Sequence, residues 1–281
     1  MLNSIELAWL IRRDAIEMTH LSGGSHIASV LSMADLLAVL YTDIANVDPK
    51  NPQMIGRDKI ILSKGHAGAG IYSALANMGF FDRKILKTHY QNGSILSGHV
   101  SHKGVPGVEF STGSLGHGLS VGSGLAYGAK INQSNEKIFV ILGDGECDEG
   151  AIWEAALISN HFKLNNLIAI VDYNKMQSLD YVEKTISLHP LDKKWEAFGW
   201  NVISVDGHSH EELKKAFNKA FKSREKPTII LANTIKGKGI SFMENDILWH
   251  YRFPHEGDEY QNAVKELDLI RPINIKDPYI L

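Results

Sequence analysis

The sequence predicts an α/β fold: a doubly wound, mainly parallel sheet with helices on both faces. Three observations carry that reading. Short apolar runs rich in isoleucine, leucine and valine recur at 58–62, 137–142, 167–172, 201–205 and 228–232. From residue 137 onward, helix-like stretches at 149–164, 191–198 and 209–223 separate them, and such alternation indicates a parallel sheet covered on both sides. Glycines and polar side chains follow several of the runs, and ligands of parallel sheets sit at those carboxyl ends, beside a switch point.

Taken in order, residues 4–20 place Ile5, Ala8, Ile11, Ala15 and Met18 at helical spacing, and Gly23-Gly24 supplies the positive φ on which helices end. Ser32 with Asp35 forms an N-terminal capping pattern that opens a second apolar helix, running to about Ile44. The strand at 58–62 enters Ser63-Lys64-Gly65-His66-Ala67-Gly68, and helices are expected at about 67–78 and 82–90. Gly93, Gly98, Gly104, Pro106 and Gly107 break 91–112 into a surface or active-site excursion, and a second loop covers 173–190. No Pro/Ser-rich linker or composition shift divides the chain. Residues 1–281 therefore read as one domain with a C-terminal arm from about 240 to 281.

The 281 residues are 44% hydrophobic and 22% charged, which excludes a disordered chain. A net charge of -3, with 29 basic and 32 acidic residues interspersed, leaves no broad basic footprint for nucleic acid. Polar residues such as Asn3, Glu6, Arg12 and Arg13 interrupt the N-terminus, against a signal peptide, and no apolar run of bilayer-spanning length is expected. The single cysteine, Cys147, excludes an internal disulfide and a multi-thiolate metal site. No membrane partner and a cytoplasmic location are the expectations.

Strand 137–142 runs into Gly143-Asp144-Gly145-Glu146, with a helix a few residues on. The glycines permit a tight turn and close backbone approach, and the helix offers free amides to a phosphate. A G-x-G alone is a weak signal. Asp144, together with Asn174 after the strand at 167–172, sharpens it: two strand ends in one sheet can put two hard oxygens on a magnesium ion that completes its shell with phosphates and water. The alternative is a helix-capping Asp144 and a turn-forming Asn174.

Gly116, Gly118, Gly122, Gly124 and Gly128 fall within one apolar stretch. In a helix each costs roughly 1 kcal/mol relative to alanine, so close packing against another helix or a flat cofactor ring must offset them. Four of the thirteen histidines, His26, His66, His99 and His250, lie in glycine-flanked or loop contexts. They have no metal-ligand spacing but can exchange protons near neutral pH or donate to a diphosphate or to sugar hydroxyls.

Four segments together resemble one family: Ser63-Lys64-Gly65-His66-Ala67; Ser111-Thr112-Gly113-Ser114-Leu115-Gly116; Gly143-Asp144-Gly145 through Glu149-Gly150 to Asn174; and Thr234-Ile235-Lys236-Gly237-Lys238-Gly239 with Trp249-His250. Over nearly its whole length the chain resembles the N-terminal, thiamine diphosphate-binding domain of transketolases, and more closely the stand-alone N-terminal subunit of split transketolases. The resemblance implies that Asp144, Asn174 and the carbonyl of Met176 hold magnesium, and that Gly145, His66 and His250 contact the diphosphate. It implies that Gly113 and Leu115 adjoin the aminopyrimidine, with Ser114 between them also cofactor-binding, and that His26, His66, His99 and His250 line the substrate channel. Glu149 matches a subunit-interface carboxylate. The implied reaction moves a two-carbon ketol unit from a ketose to an aldose, on sugar or sugar-phosphate substrates. The implied partners are a second polypeptide carrying the pyrimidine-binding domain and a second copy of this chain, joined through the 116–128 helix and the Glu149 region, in a heterotetramer.

Two departures bear on substrate choice. The loop after His99 is longer than the family's, leaving either His99 or His102 for the channel position, and Tyr251-Arg252 replaces the small residue that usually follows the histidine at 250. The competing readings are the α-subunit of a 2-oxo acid dehydrogenase, which shares the metal motif, and a non-catalytic binding paralogue.

Overall fold

The computed structural model describes residues 2–255 and 257–279. Its strands β1 (Lys59–Leu62), β2 (Ile138–Gly143), β3 (Leu167–Tyr173), β4 (Asn201–Asp206) and β5 (Thr228–Asn233) form one sheet in the order β1-β2-β3-β5-β4, with every ladder parallel. Along the chain the helices are α1 (Ser4–Ser22), α2 (Ile27–Val39), α3 (Gly68–Met78), α4 (His117–Ile131), α5 (Gly150–His161), α6 (Val182–Thr185), α7 (Leu191–Ala197), α8 (His210–Ala220) and α9 (Asp258–Leu269). Successive strand side chains face opposite ways, so β2 sends Phe139 and Ile141 into one core and Ile138, Val140 and Leu142 into the other. Helices α1, α2, α3, α8 and α9 pack into the first core; α4, α5 and α7 pack into the second.

The winding explains that division. From β1 through β3 the chain steps one way across the sheet, with α4 and α5 on one face. It then skips a position to reach the edge strand β4 and turns back through α8 to β5. Parallel crossovers are right-handed, so a reversed step puts its helix on the opposite face. The reversal opens a crevice at the carboxyl edge of the sheet.

Helix α1 ends where expected, at Gly23 with φ 66°, and Asn3 with Glu6 closes a capping box at its start. Helix α2 does not open at Ser32. It begins at Ile27, and Ser32 and Asp35 are buried mid-helix, because their polar atoms find distant partners: the Ser32 hydroxyl donates to Asp172 at 2.6 Å, and Asp35 meets Arg12 at 2.6 Å. A π-helical turn, Leu40–Ile44, extends α2. The continuous stretch 27–44 is, against expectation, long and apolar enough to cross a membrane. Its first 15 residues are buried, against neighbours that include α1, α3 and α8, and a helix buried all round is apolar all round.

The segment at 82–90 is a 3₁₀ helix over Arg83–Thr88. Residues 91–112 carry no helix or strand, yet Leu96, Val100 and Val105 are buried in the first core and the Val100 amide donates to the Gly65 carbonyl at 2.9 Å. The loop at 173–190 contains α6. The arm beyond 240 folds back across α1: the Trp9 indole donates to the Leu267 carbonyl at 2.8 Å, and Arg13 Nε to Asp277 at 2.8 Å. The Tyr279 hydroxyl donates to Asp14 at 2.9 Å, and the Tyr279 ring lies 4.5 Å from the Arg13 guanidinium and 4.8 Å from that of Arg83. Met1 and the arm's last residues, Ile280 and Leu281, lie outside the described residues.

The glycines of α4 divide into two kinds. A Cβ on Gly118 would stand 2.8 Å from the Ser63 Cα, and one on Gly122 would run into Val140, so these two let the helix lie close on the sheet. Gly124 and Gly128 have nothing within 4 Å of a Cβ. Both open onto the outer face of α4.

Candidate cofactor site

Strand register gathers the site. Gly143 pairs with Asp172 and Tyr173 with Asn233, so Asp144, Asn174 and Thr234, each one residue past its strand, share the carboxyl edge with Ser63 and Lys64 beyond β1. The turns there line a cavity of about 240 Å³, joined by the start of α2 and the 247–251 turn. His26, His66, His99, Gly113, Leu115, Asp144, Gly145, Asn174, Met176 and His250, all expected from the sequence, line it together. Ser114 is exposed and outside the lining. Of the two alternatives, His99 lines the cavity, whereas His102 is exposed and bound to the Ser111 hydroxyl at 2.7 Å. Tyr251 also lines it, but the Arg252 guanidinium pairs with Glu259 and lies 5.1 Å from the Trp249 ring.

The histidines form a cluster around His26, whose ring centroid is 5.0 Å from His66, 5.1 Å from His250 and 5.9 Å from His99. His26 caps α2 with φ 72°, a left-handed backbone that costs a non-glycine residue about 1–3 kcal/mol. Its amide donates to the His250 carbonyl at 3.1 Å, and its Nδ1 meets the Ser25 hydroxyl at 2.7 Å. Burial, with His99, Lys236 and Lys64 nearby, lowers the His26 pKa to about 4. Burial, with Lys236 and His26, lowers that of His250 to about 3; burial and Lys64 hold His66 well below the usual imidazole value. These three rings are neutral at neutral pH, each with one donor and one acceptor nitrogen.

Two lysines stand behind the cluster. Lys64 Nζ is 2.5 Å from Asp172, whose carboxylate also accepts from Ser32, Thr234 and the Asn174 side-chain amide. Burial alone would raise Asp172, but Lys64 and the two hydroxyls overcome it and hold the pKa below the usual value. Among the described residues Lys236 has only neutral partners: the carbonyls of Met176 and Gln177, each at 3.2 Å, and His250 Nδ1 at 2.7 Å. Buried to 1% exposure and close to the Lys64 ammonium, it drops to about 8. Both lysines were missed as site residues in the sequence; the signal was their place inside Ser63-Lys64-Gly65-His66 and Lys236-Gly237-Lys238-Gly239. Glu146, also missed, ties three turns together: it accepts from the Ser63 hydroxyl and from the amides of Gly116 at 2.8 Å and Gly143 at 3.0 Å.

Asp144 is the counterpart of Lys236. It is 2% exposed, and its oxygens accept only from the backbone amides of Gly145 at 2.8 Å and Lys175 at 2.5 Å. Burial and the Asp172 carboxylate push its pKa up to about 7. Lys175, at φ 66°, turns the chain so that Asn174 Oδ1 accepts from the Met176 amide at 3.1 Å. Asp144, Asn174 and the Met176 carbonyl are all hard oxygen donors, a set that suits magnesium shared with phosphates. Among the described residues, a buried carboxylate that no cation touches and a buried ammonium that no anion touches line one cavity, and they fit a magnesium-bound diphosphate.

The family model for the transketolase, thiamine diphosphate binding domain matches residues 4–263. The chain is similar to an apulose-4-phosphate transketolase subunit of Phocaeicola vulgatus, 40% identical over 91% of this chain and 90% of that one. It is also similar to the 6-deoxy-6-sulfo-D-fructose transketolase subunit SqwG of a Clostridium species, 41% identical over 92% and 94%. The transketolase of Leishmania mexicana superposes with a TM-score of 0.90 at 28% identity, covering all of this chain and 43% of that one, so the chain spans under half of that longer enzyme. These matches favour transketolase over the dehydrogenase reading. The chain belongs to the transketolase family, as an N-terminal subunit that carries its thiamine diphosphate-binding domain.

Proposed function

We propose that this subunit binds magnesium and thiamine diphosphate and, with a second polypeptide carrying the pyrimidine-binding domain, transfers a two-carbon ketol unit from a ketose to an aldose. The observation that carries this reading is the pair of buried ionisable groups, Asp144 and Lys236, that no opposite charge touches among the described residues, in one cavity beside a histidine cluster. In this reading Asp144, Asn174 and the Met176 carbonyl hold the metal. Gly145, His66, His250 and Lys236 hold the diphosphate, and Gly113 and Leu115 adjoin the aminopyrimidine. When bound, thiamine diphosphate supplies the electron sink for breaking a carbon–carbon bond. The chain's own part is orientation and proton transfer: the neutral rings of His26, His66 and His250, with His99, face the sugar and exchange hydrogen bonds with its hydroxyls. The similar proteins, named for apulose-4-phosphate and 6-deoxy-6-sulfo-D-fructose, support a sugar or sugar-phosphate substrate.

Two surfaces support assembly. Leu179, Leu248 and Tyr251, each lining the cavity or within two residues of a lining residue, are more than half exposed. On the other side Leu125, Tyr127, Ile131, Leu157 and Ile158 are exposed on α4 and α5, next to the open Gly124 and Gly128, with Glu149 exposed at the head of α5. The first surface suits the pyrimidine-binding polypeptide, the second a copy of this chain, giving a heterotetramer. Residues 1–281 then act as one diphosphate-binding domain with its C-terminal arm, and the cytoplasm is the compartment of such a metabolic enzyme. The purified chain is expected to show no ketol transfer alone and to gain it with the co-expressed partner across a screen of ketose donors. Steady turnover of a ketose and an aldose by the chain alone refutes the reading.

A further inference from the structure

We infer that His208 is a positioning residue for the cofactor site: it holds the backbone amide of Ile235 and so fixes the turn from which Lys236 enters the cavity. The inference rests on the cofactor reading above and adds a residue that lies outside the cavity lining.

A lysine side chain has four rotatable bonds, so its ammonium keeps one place only if its backbone does. Lys236 follows β5, and the turn is gripped on both sides. The Ile235 amide donates to His208 Nε2 at 2.9 Å, and the Lys238 carbonyl accepts from Arg12 Nε at 3.1 Å. Both grips belong to one cluster built on the buried Asp35. His208 Nδ1 is 2.8 Å from Asp35 Oδ2, and Asp35 also takes Arg12 at 3.0 and 2.6 Å and His210 Nε2 at 3.1 Å. An ionised carboxylate only accepts, so His208 Nδ1 carries the proton and Nε2 is left as the acceptor that the Ile235 amide requires. The ring itself is delivered by the β4–α8 turn. The Gly207 amide donates to the Asn233 carbonyl at 2.8 Å, and a Cβ on Gly207 would stand 3.1 Å from that oxygen, so the turn lies tight on the end of β5.

The consequence reaches the site through one residue. With the turn held, Lys236 Nζ bridges His250 Nδ1 to the carbonyls of Met176 and Gln177. It thereby sets the orientation of the His250 ring and of the 176–177 backbone together. His208 touches neither group; it acts through the Ile235 amide alone.

The two nitrogens can be separated by substitution. A glutamine amide reproduces the reach of Nε2, whereas an asparagine amide reproduces that of Nδ1. His208→Gln therefore keeps the hold on Ile235 and gives up Asp35; His208→Asn does the reverse; His208→Ala loses both. Calorimetric titration with thiamine diphosphate at saturating magnesium is expected to show about tenfold weaker binding for the Asn and Ala variants and a change of about twofold or less for Gln, as loss of one structural hydrogen bond implies. Hydrogen–deuterium exchange of the unliganded chains should be faster at the Ile235 amide in Asn and Ala and unchanged in Gln. If His208 serves only the fold, affinity tracks the melting midpoint across the three variants, and that result overturns the inference. Equal exchange at the Ile235 amide in all chains overturns it independently. If the unaltered chain gives no heat with thiamine diphosphate, the cofactor reading falls, while the exchange measurement still decides whether His208 holds the turn.

Discussion

Asp35 and Asp144 are both buried carboxylates, and the molecule treats them in opposite ways. Asp35 is surrounded by Arg12, His208 and His210; burial would raise its pKa, but Arg12 and the two rings hold it well below the usual carboxylate range. Asp144 receives two backbone amides and no cation, and burial with Asp172 lifts it to about 7. The same chemical group is finished by the chain in one place and left unfinished in the other. A buried charge without a partner is costly, so a fold keeps one only where something else completes it. The contrast between them separates a charge completed within the fold from one left open at the cavity.

The largest expected effect is at the unfinished charge. Asp144→Ala should reduce magnesium-dependent thiamine diphosphate binding below calorimetric detection, while the melting midpoint of the free chain does not fall; normal binding by this variant removes the metal assignment. Next come the histidines. With partner present and cofactor saturating, His26→Ala should lower turnover by about 10² to 10⁴, whereas His250→Ala and His66→Ala should mainly weaken cofactor binding. Equal losses of affinity in all three would erase that division.

At the finished charge, Asp35→Ala leaves Arg12 buried without its counter-charge and should cost about 3–5 kcal/mol in a urea melt. The same carboxylate gives an acid signature. Its folded pKa lies below the unfolded value of about 3.9, so its contribution is intact above roughly pH 4 and is lost as the pH falls below that. Asp35→Asn should therefore flatten the acid limb of the stability curve relative to the unaltered chain, and a limb of unchanged slope would contradict the pairing. The smallest effect tests the two kinds of glycine on α4. Gly124→Ala should stabilise the isolated chain by up to about 1 kcal/mol, while Gly118→Ala should destabilise it, because its methyl group runs into Ser63.

Strands were legible in the sequence because buried parallel strands leave runs such as Phe139-Val140-Ile141-Leu142, and the strand ends marked Asp144 and Asn174 in advance. The start of α2 was not legible. Its cap is His26 in a left-handed backbone whose side chain makes no capping hydrogen bond to the helix, while Ser32 and Asp35 imitate a cap and in fact answer Asp172 and Arg12 across the core. Lys236 escaped for a related reason: a lysine among glycines looks solvent-facing, and only the sheet register reveals that it points into a cavity. What one dimension hides here is tertiary pairing of polar groups, which leaves no period.

The anchoring of α1 by the distant arm has a consequence for the order in which the protein is made. Arg13 and Asp14 find Asp277 and Tyr279 across 264 and 265 residues. At ribosomal speeds of about 5–20 residues per second, α1 leaves the tunnel roughly ten to fifty seconds before those partners exist. Through that interval the nascent helix holds an arginine and an aspartate whose final burial is incomplete, although Glu17, Ser73 and Arg83 are already within reach. Completion of α1 thus waits for residues 277–279, and the growing chain offers that helix to chaperones until they emerge.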